Sequence, residues 1–230
     1  MRGPLVKKLN AFVLNMNENI KLTIETYDRI ASNYNVTKTS KLRRWIENSM
    51  DIFVHYMTGR RALVVGCGDG RDSKYLSSKN LIVTSIDLSK GMLDEAIKND
   101  PSGDYKLFDL RNIDKLRAQF DGIWASGCLY HLTRNEFSKF LKKAKTVLRE
   151  DGILYLNMKE GSGEEYSDKP KSERYPGGIK SKKLLIGKRY YSYYSHEELI
   201  SYLNGYEIVK ERRLKFAEKG FEFWCRNRTQ

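Results

Sequence analysis

Residues 63–75 read LVVGCGDGRDSKY, and this stretch constrains the fold more than any other. A short apolar run ends in Gly66-Cys67-Gly68-Asp69-Gly70, and a helix-compatible segment follows. The pattern predicts a buried strand, a glycine-rich turn and then a helix. Glycine lets a ligand lie against the backbone and tolerates the positive φ angles of tight turns. The first amides of the following helix face the same point. A nucleotide-like ligand is the expected occupant.

The chain has 230 residues, a length that suits one α/β domain with at most a modest elaboration. Ile20, Ile24, Tyr27 and Ile30-Ala31 recur at helical spacing, and Leu42, Trp45, Ile46 and Met50 do so again, so a helical cap is expected over 1–59. The main domain is expected at 60–230. There, strands at 62–65, 81–86, 105–108, 122–125 and 153–158 alternate with helical segments. Ser89 is an N-cap candidate, and Thr133-Arg134-Asn135-Glu136 is a capping-box pattern. Segments 206–212 and 221–226 look like a final antiparallel pair. This order argues for a doubly wound, mostly parallel sheet, with its ligand at the carboxyl ends of the strands near the switch point.

Composition narrows the function classes. No stretch approaches the ~18 apolar residues of a membrane span, and the N-terminus lacks a secretory pattern, so a cytoplasmic location is expected. Cys67, Cys128 and Cys225 are far apart, with no histidine at ligand spacing, so neither a disulfide framework nor a metal site is expected. Net charge is +13, which invites an anionic partner. Between 169 and 189 there are eight basic residues against Glu173 alone, within a Gly- and Pro-containing excursion at 160–188 that is expected to lie on the substrate side.

Several residues sharpen the ligand. The glycines read Gly-x-Gly-x-Gly, with Arg71 where a dinucleotide fingerprint would place its third glycine. Asp87 ends the second strand, 21 residues after Gly66, where a carboxylate can accept both hydrogen bonds of a ribose diol. Asp109 ends the third strand, where its carboxylate or a neighbouring amide can meet an adenine edge. Ser126 to Leu132 follow the fourth strand on the same rim, and His131 is the candidate base there.

These motifs resemble those of class I S-adenosylmethionine-dependent methyltransferases. Val65-Gly66-Cys67-Gly68-Asp69-Gly70 resembles the first motif, Ile86-Asp87-Leu88-Ser89 with Met92 the second, and Phe108-Asp109-Leu110 the adenine segment. Phe120 to Trp124 with Leu129-Tyr130-His131-Leu132, and the passage from Val147 to Leu154, resemble the later motifs. Thr26 to Ala31 and Tyr34 resemble the N-terminal lid helix of small members. The resemblance implies a seven-stranded sheet and S-adenosyl-L-methionine as cofactor. It assigns Tyr27, Gly66, Cys67, Gly68, Gly70, Asp87, Leu88, Met92, Asp109, Leu110 and Ser126 to cofactor binding. His131 is the implied catalytic residue, and Lys159, Glu160, Arg189, Tyr190 and Tyr191 are placed towards the substrate.

Methyl transfer to a small-molecule acceptor is the leading expectation. RNA methylation is the alternative, because Tyr166, Tyr175, Tyr190, Tyr191, Tyr193 and Tyr194 interleave with the basic excursion and could stack on bases. A non-catalytic, cofactor-binding or regulatory protein is a third reading. It is motivated by Val64, which stands where the family usually carries an acid. The sequence is silent on oligomeric state.

Overall fold

The computed structural model describes residues 17–34, 40–168, 187–214 and 219–228. Two helices come first, α1 (Glu18–Ile30) and α2 (Ser40–Tyr56). The alternating part then runs β1 (Arg61–Val65), α3 (Arg71–Ser78), β2 (Ile82–Asp87), α4 (Lys90–Asn99), β3 (Asp104–Leu107), β4 (Phe120–Ala125), α5 (Arg134–Val147) and β5 (Leu148–Glu160). After it come β6 (Glu164–Ser167), β7 (Arg189–Tyr194), α6 (His196–Tyr202), β8 (Tyr206–Leu214) and β9 (Gly220–Asn227).

β1 lies between β2 and β4, parallel to both, and β4 pairs parallel with β5. The central strands are apolar on both faces, as a parallel sheet covered on two sides requires: all six residues of β4 are buried. β9 runs antiparallel to β5, from Ile153↔Arg226 to Lys159↔Gly220, and β8 pairs outside it. Seven strands therefore run in the order β3-β2-β1-β4-β5-β9-β8, and with β6 and β7 the sheet has nine strands, two more than expected. The chain turns outward from β1 through β2 to β3 and returns at β4. The turn after β1 thus opens at the switch point, where open α/β sheets bind ligands.

Two further strands were not foreseen as a pair. β6 and β7 form an antiparallel hairpin, and β7 joins the end of β5 in parallel at Lys159↔Tyr193 and Glu160↔Tyr194. β5 is correspondingly long, beginning at Leu148 rather than at 153 and continuing to Glu160. Most of the basic excursion, 169–186, lies outside the described residues.

Apolar layers sit on both faces of the sheet. On one side α5 inserts Phe137, Phe140, Leu141, Ala144 and Val147. Its start carries the capping box of Thr133 and Glu136. On the other side α2 packs Ile46, Met50 and Phe53 against Val64, Trp124, Tyr155 and Trp224. The Trp124 and Tyr155 rings stack at 3.7 Å. Among the described residues, no helix is long and apolar enough to cross a membrane.

Candidate active site

The glycine turn has the geometry its sequence demands. Gly66, Gly68 and Gly70 have φ of 64°, 56° and 79°, a region that penalises any side chain. At Gly66 a Cβ would lie 2.5 Å from the Cβ of Cys128, so this position has no room for a larger residue. The turn is tied to β2: the Cys67 amide donates to the Ile86 carbonyl at 3.0 Å, and the Gly68 amide donates to Asp87 Oδ2 at 2.8 Å. Asp87 Oδ1 accepts from the Ser89 amide at 2.8 Å. The carboxylate thus holds backbone N–H groups on both oxygens, and an ionised carboxylate has lone-pair capacity for further donors. Burial pushes the Asp87 carboxyl above the ordinary aspartate value, opposed by the Ser89, Gly68 and Leu88 amides.

A cavity of about 830 Å³, open solvent at its mouth included, opens at this turn. Of the residues the resemblance assigns to the site, Gly66, Gly68, Asp87, Leu88, Met92, Asp109, Leu110, Ser126, Tyr27 and His131 line it. Cys67 and Gly70 do not. Cys67 is buried in the apolar cluster around Trp124. Gly70 caps α3, and a Cβ there would meet the Tyr105 hydroxyl at 2.7 Å and Ala96 at 3.0 Å, so its smallness serves packing. Asp109 faces the cavity but is held by Arg111, whose Nε and Nη2 reach Asp109 Oδ2 at 2.9 and 2.6 Å.

The roof is helix α1. Ile20, Thr23, Ile24 and Tyr27 line the cavity, a stripe at helical spacing that in sequence reads as ordinary core. Asp28 docks the helix: its Oδ1 accepts from the Ser89 hydroxyl at 2.6 Å and from the Gly91 amide at 2.8 Å. Gly91 permits this approach, since a Cβ there would lie 2.8 Å from the Asp28 carbonyl oxygen. α1 also bonds to β7 and its lead-in. Thr26 Oγ1 donates to the Lys188 carbonyl at 2.7 Å, and the Tyr190 amide donates to Thr23 Oγ1 at 3.0 Å.

His131 sits where roof and rim meet. Its Nδ1 lies 2.6 Å from the Tyr190 carbonyl, which can only accept, so Nδ1 carries the proton. In the neutral ring Nε2 is then an acceptor, and it takes the Tyr27 hydroxyl at 2.9 Å. Burial pushes the Tyr27 phenol well above its usual range, so it stays a donor at physiological pH. The His131 ring is surrounded by Tyr130, Tyr191 and Tyr27 at centroid distances of 4.7, 4.9 and 5.5 Å. The other histidines stand elsewhere. His196 pairs with Glu211, and His55 lies against Tyr56 at the end of α2.

Residues 63–156 match a family model described as a methyltransferase domain. The CcbJ methyltransferase of Streptomyces caelestis shares the fold, with a TM-score of 0.67 and 17% identity over 89% of this chain and 98% of its own. The chain therefore has the class I methyltransferase fold, and residues 63–156 are similar to a methyltransferase domain. A second solved structure, the DhpI–SAH complex, superposes with a TM-score of 0.70 and 16% identity, covering 92% of this chain and 98% of that one. Over 94 residues the chain is 38% identical to malonyl-[acyl-carrier protein] O-methyltransferase of Enterobacter lignolyticus, covering 41% of this chain and 37% of that protein. It is 34% identical over 120 residues to the Salmonella typhimurium protein of the same description, covering 50% and 47%. The chain spans less than half the length of these two relatives.

The donor set fits the family's cofactor. A carboxylate at the cavity wall suits a ribose diol, and Leu88, Met92, Phe108 and Leu110 offer apolar surface to a flat base. Val64, which departs from the family pattern, is 1% exposed and packs with Leu76 and Trp124. An acid there would be buried among apolar groups, and the turn is organised instead by Asp87 and the Ile86 carbonyl.

Proposed function

We propose that this protein transfers the methyl group of S-adenosylmethionine to a small-molecule acceptor. The observation that carries this reading is the Asp87 carboxylate, aimed into a cavity roofed by α1 and held by the amides of Gly68 and Ser89. S-Adenosylmethionine supplies a methyl group already activated by a sulfonium centre. What this chain must add is alignment and exclusion of water, and proximity alone supplies roughly 7–11 kcal/mol of barrier lowering. Asp87 and the glycine turn hold one end of the ligand. Tyr27 and Tyr34, from the roof, cover the other. His131 borders the acceptor side, with its proton fixed on Nδ1 and Nε2 directed at whatever donor occupies the Tyr27 position.

The small-molecule reading is preferred to RNA because three of the six tyrosines are used internally, whereas Tyr166 is exposed and Tyr193 half-buried. Tyr190, Tyr191 and Tyr194 are 4%, 2% and 0% exposed, so they present no stacking platform. Tyr175 lies outside the described residues. A cytoplasmic setting goes with this reading.

The test is binding followed by transfer. S-Adenosylhomocysteine is titrated calorimetrically into the full chain, and labelled cofactor is then incubated with a cell extract that is fractionated by size. Micromolar binding and label in the small-molecule fraction are expected. Label confined to RNA, or binding without any transfer, would overturn the reading.

A further inference from the structure

Two cavity-lining side chains away from the glycine turn form a chain of donors and acceptors. Tyr27 donates to Nε2 of His131 at 2.9 Å, and Nδ1–H of His131 donates to the Tyr190 carbonyl at 2.6 Å. Both Tyr27 and His131 line the cavity. The residue before Tyr190 attends the other member of the pair: the buried Arg189 guanidinium lies 5.7 Å from the Tyr27 centroid. Burial raises the Tyr27 phenol, while the charge and hydrogen bond of Arg189 pull the other way, towards the phenolate. The first two residues of β7 thus support both ends of the Tyr27–His131 pair. The roof has fastenings of its own, from Thr23 and Thr26 to β7 and its lead-in and from Asp28 to Ser89 and Gly91. Ile20 and Ile24 share the Tyr27 face of α1, and they line the cavity together with Leu132, which follows His131. The pair is therefore set among apolar side chains.

Resting on the methyl-transfer reading above, we propose that Tyr27 and His131 are a proton relay, and that the acceptor is an apolar molecule methylated on a hydroxyl group. A phenolic oxygen that donates its own proton can still accept another. The acceptor hydroxyl can therefore donate to Tyr27 while Tyr27 donates to His131. The acceptor oxygen forms its bond to the methyl carbon as the carbon–sulfur bond breaks, and that bond's electron pair stays on sulfur as the neutral thioether. The acceptor's proton passes to the Tyr27 oxygen as the Tyr27 proton passes to Nε2. His131 is left as an imidazolium, its Nδ1–H still on the Tyr190 carbonyl, and returns the proton to water after the product leaves. The product is a methyl ether. Arg189 favours the negative charge that the phenol oxygen carries in transit, and the enclosed setting strengthens each of these bonds.

Product chemistry and two variants of the full chain test this. The labelled small-molecule fraction is treated with alkali and then with hot hydriodic acid. Methyl esters lose their label as methanol in alkali, methyl ethers release methyl iodide only in the acid, and N-, S- and C-methyl groups keep theirs. Alkali-stable label released by the acid is expected. In single turnovers at saturating extract, Tyr27→Phe should transfer on the order of 10²-fold more slowly, with S-adenosylhomocysteine affinity held. Wild-type transfer should slow in heavy water, and Tyr27→Phe should lose that slowing, which a tyrosine serving only to pack the roof would leave in place. His131→Ala should lose transfer to a similar extent and regain part of it with added imidazole. Label released by alkali, label that survives both treatments, or full-rate transfer by Tyr27→Phe would overturn the proposal while leaving methyl transfer standing. Failure of the wild-type chain to bind S-adenosylhomocysteine would remove the methyl-transfer reading, and this inference with it.

Discussion

Asp87 shows how one side chain serves both the fold and the ligand. Its two oxygens fix the glycine turn to β2 and the start of α4 before any ligand arrives. Asp87→Ala therefore removes the ribose acceptor and also leaves two amides without their partner. S-Adenosylhomocysteine affinity is expected to fall at least tenfold, on the order of 1.5 kcal/mol or more, read by calorimetry. The pH dependence follows from the same geometry. Because both oxygens already accept backbone N–H groups, binding a diol requires the ionised carboxylate, and burial holds its pKa above the ordinary ~3.9. Below that raised pKa a proton must leave before the ligand binds, so affinity falls with decreasing pH by up to tenfold per unit. Above it this contribution is flat. Calorimetry across the acid range should show the decline in wild type and its loss in Asp87→Asn. An equal slope in both would show that another group is responsible.

At the scale of elements, the last strand pair is held by a polar knot within the apolar layer. Glu222 on β9 is fully buried and accepts from Ser49 on α2 at 2.8 Å, from the Tyr155 hydroxyl at 2.6 Å and from Arg212 on β8 at 2.9 Å. Burial raises its carboxyl above the usual glutamate value, against the opposing pull of Tyr155, Arg212 and Ser49. Removing one partner of such a group strands the others. Glu222→Ala should cost about 3–5 kcal/mol, seen as a lower urea midpoint at unchanged slope, and Glu222→Gln, which keeps the shape, should cost less than half of that. Nothing in Phe221-Glu222-Phe223 marks this residue in sequence. Alternation there reads as a strand with a solvated glutamate, and its partners at positions 49, 155 and 212 meet it only in the folded chain. The β6–β7 hairpin was illegible for a related reason. Glu164 to Tyr166 are exposed, so β6 lacks the apolar alternation that reveals a half-buried strand, and its pairing is long-range. By contrast, the parallel core and its caps were legible because β1, β4 and α5 carry strong local signals: continuous apolar runs, positive-φ glycines and the Thr133 capping box.

For the whole molecule, the question is how a helix far from the motifs in sequence becomes part of the site. α1 contributes the roof, yet its docking depends on residues of α4 and β7 that never reach the cavity, among them Gly91 and the carbonyl of Lys188. Gly91 is the most selective probe of that dependence. It is the second residue of α4, with no steep conformational demand of its own, and its substitution by alanine suits a helix. The added methyl group would overlap Asp28 backbone atoms at 2.8 and 2.9 Å, so α1 must move away. Gly91→Ala is expected to leave the sheet intact, with hydrogen-exchange protection of β4 and β5 unchanged. Protection of α1 should fall, and S-adenosylhomocysteine affinity should weaken several-fold even though no ligand-facing atom has been removed. Saturating ligand should return part of the α1 protection, because a ligand that binds the closed form better draws the population towards it. If Gly91→Ala bound as tightly as wild type with α1 equally protected, the roof would not be coupled to binding, and the cavity would be a rigid feature of the sheet.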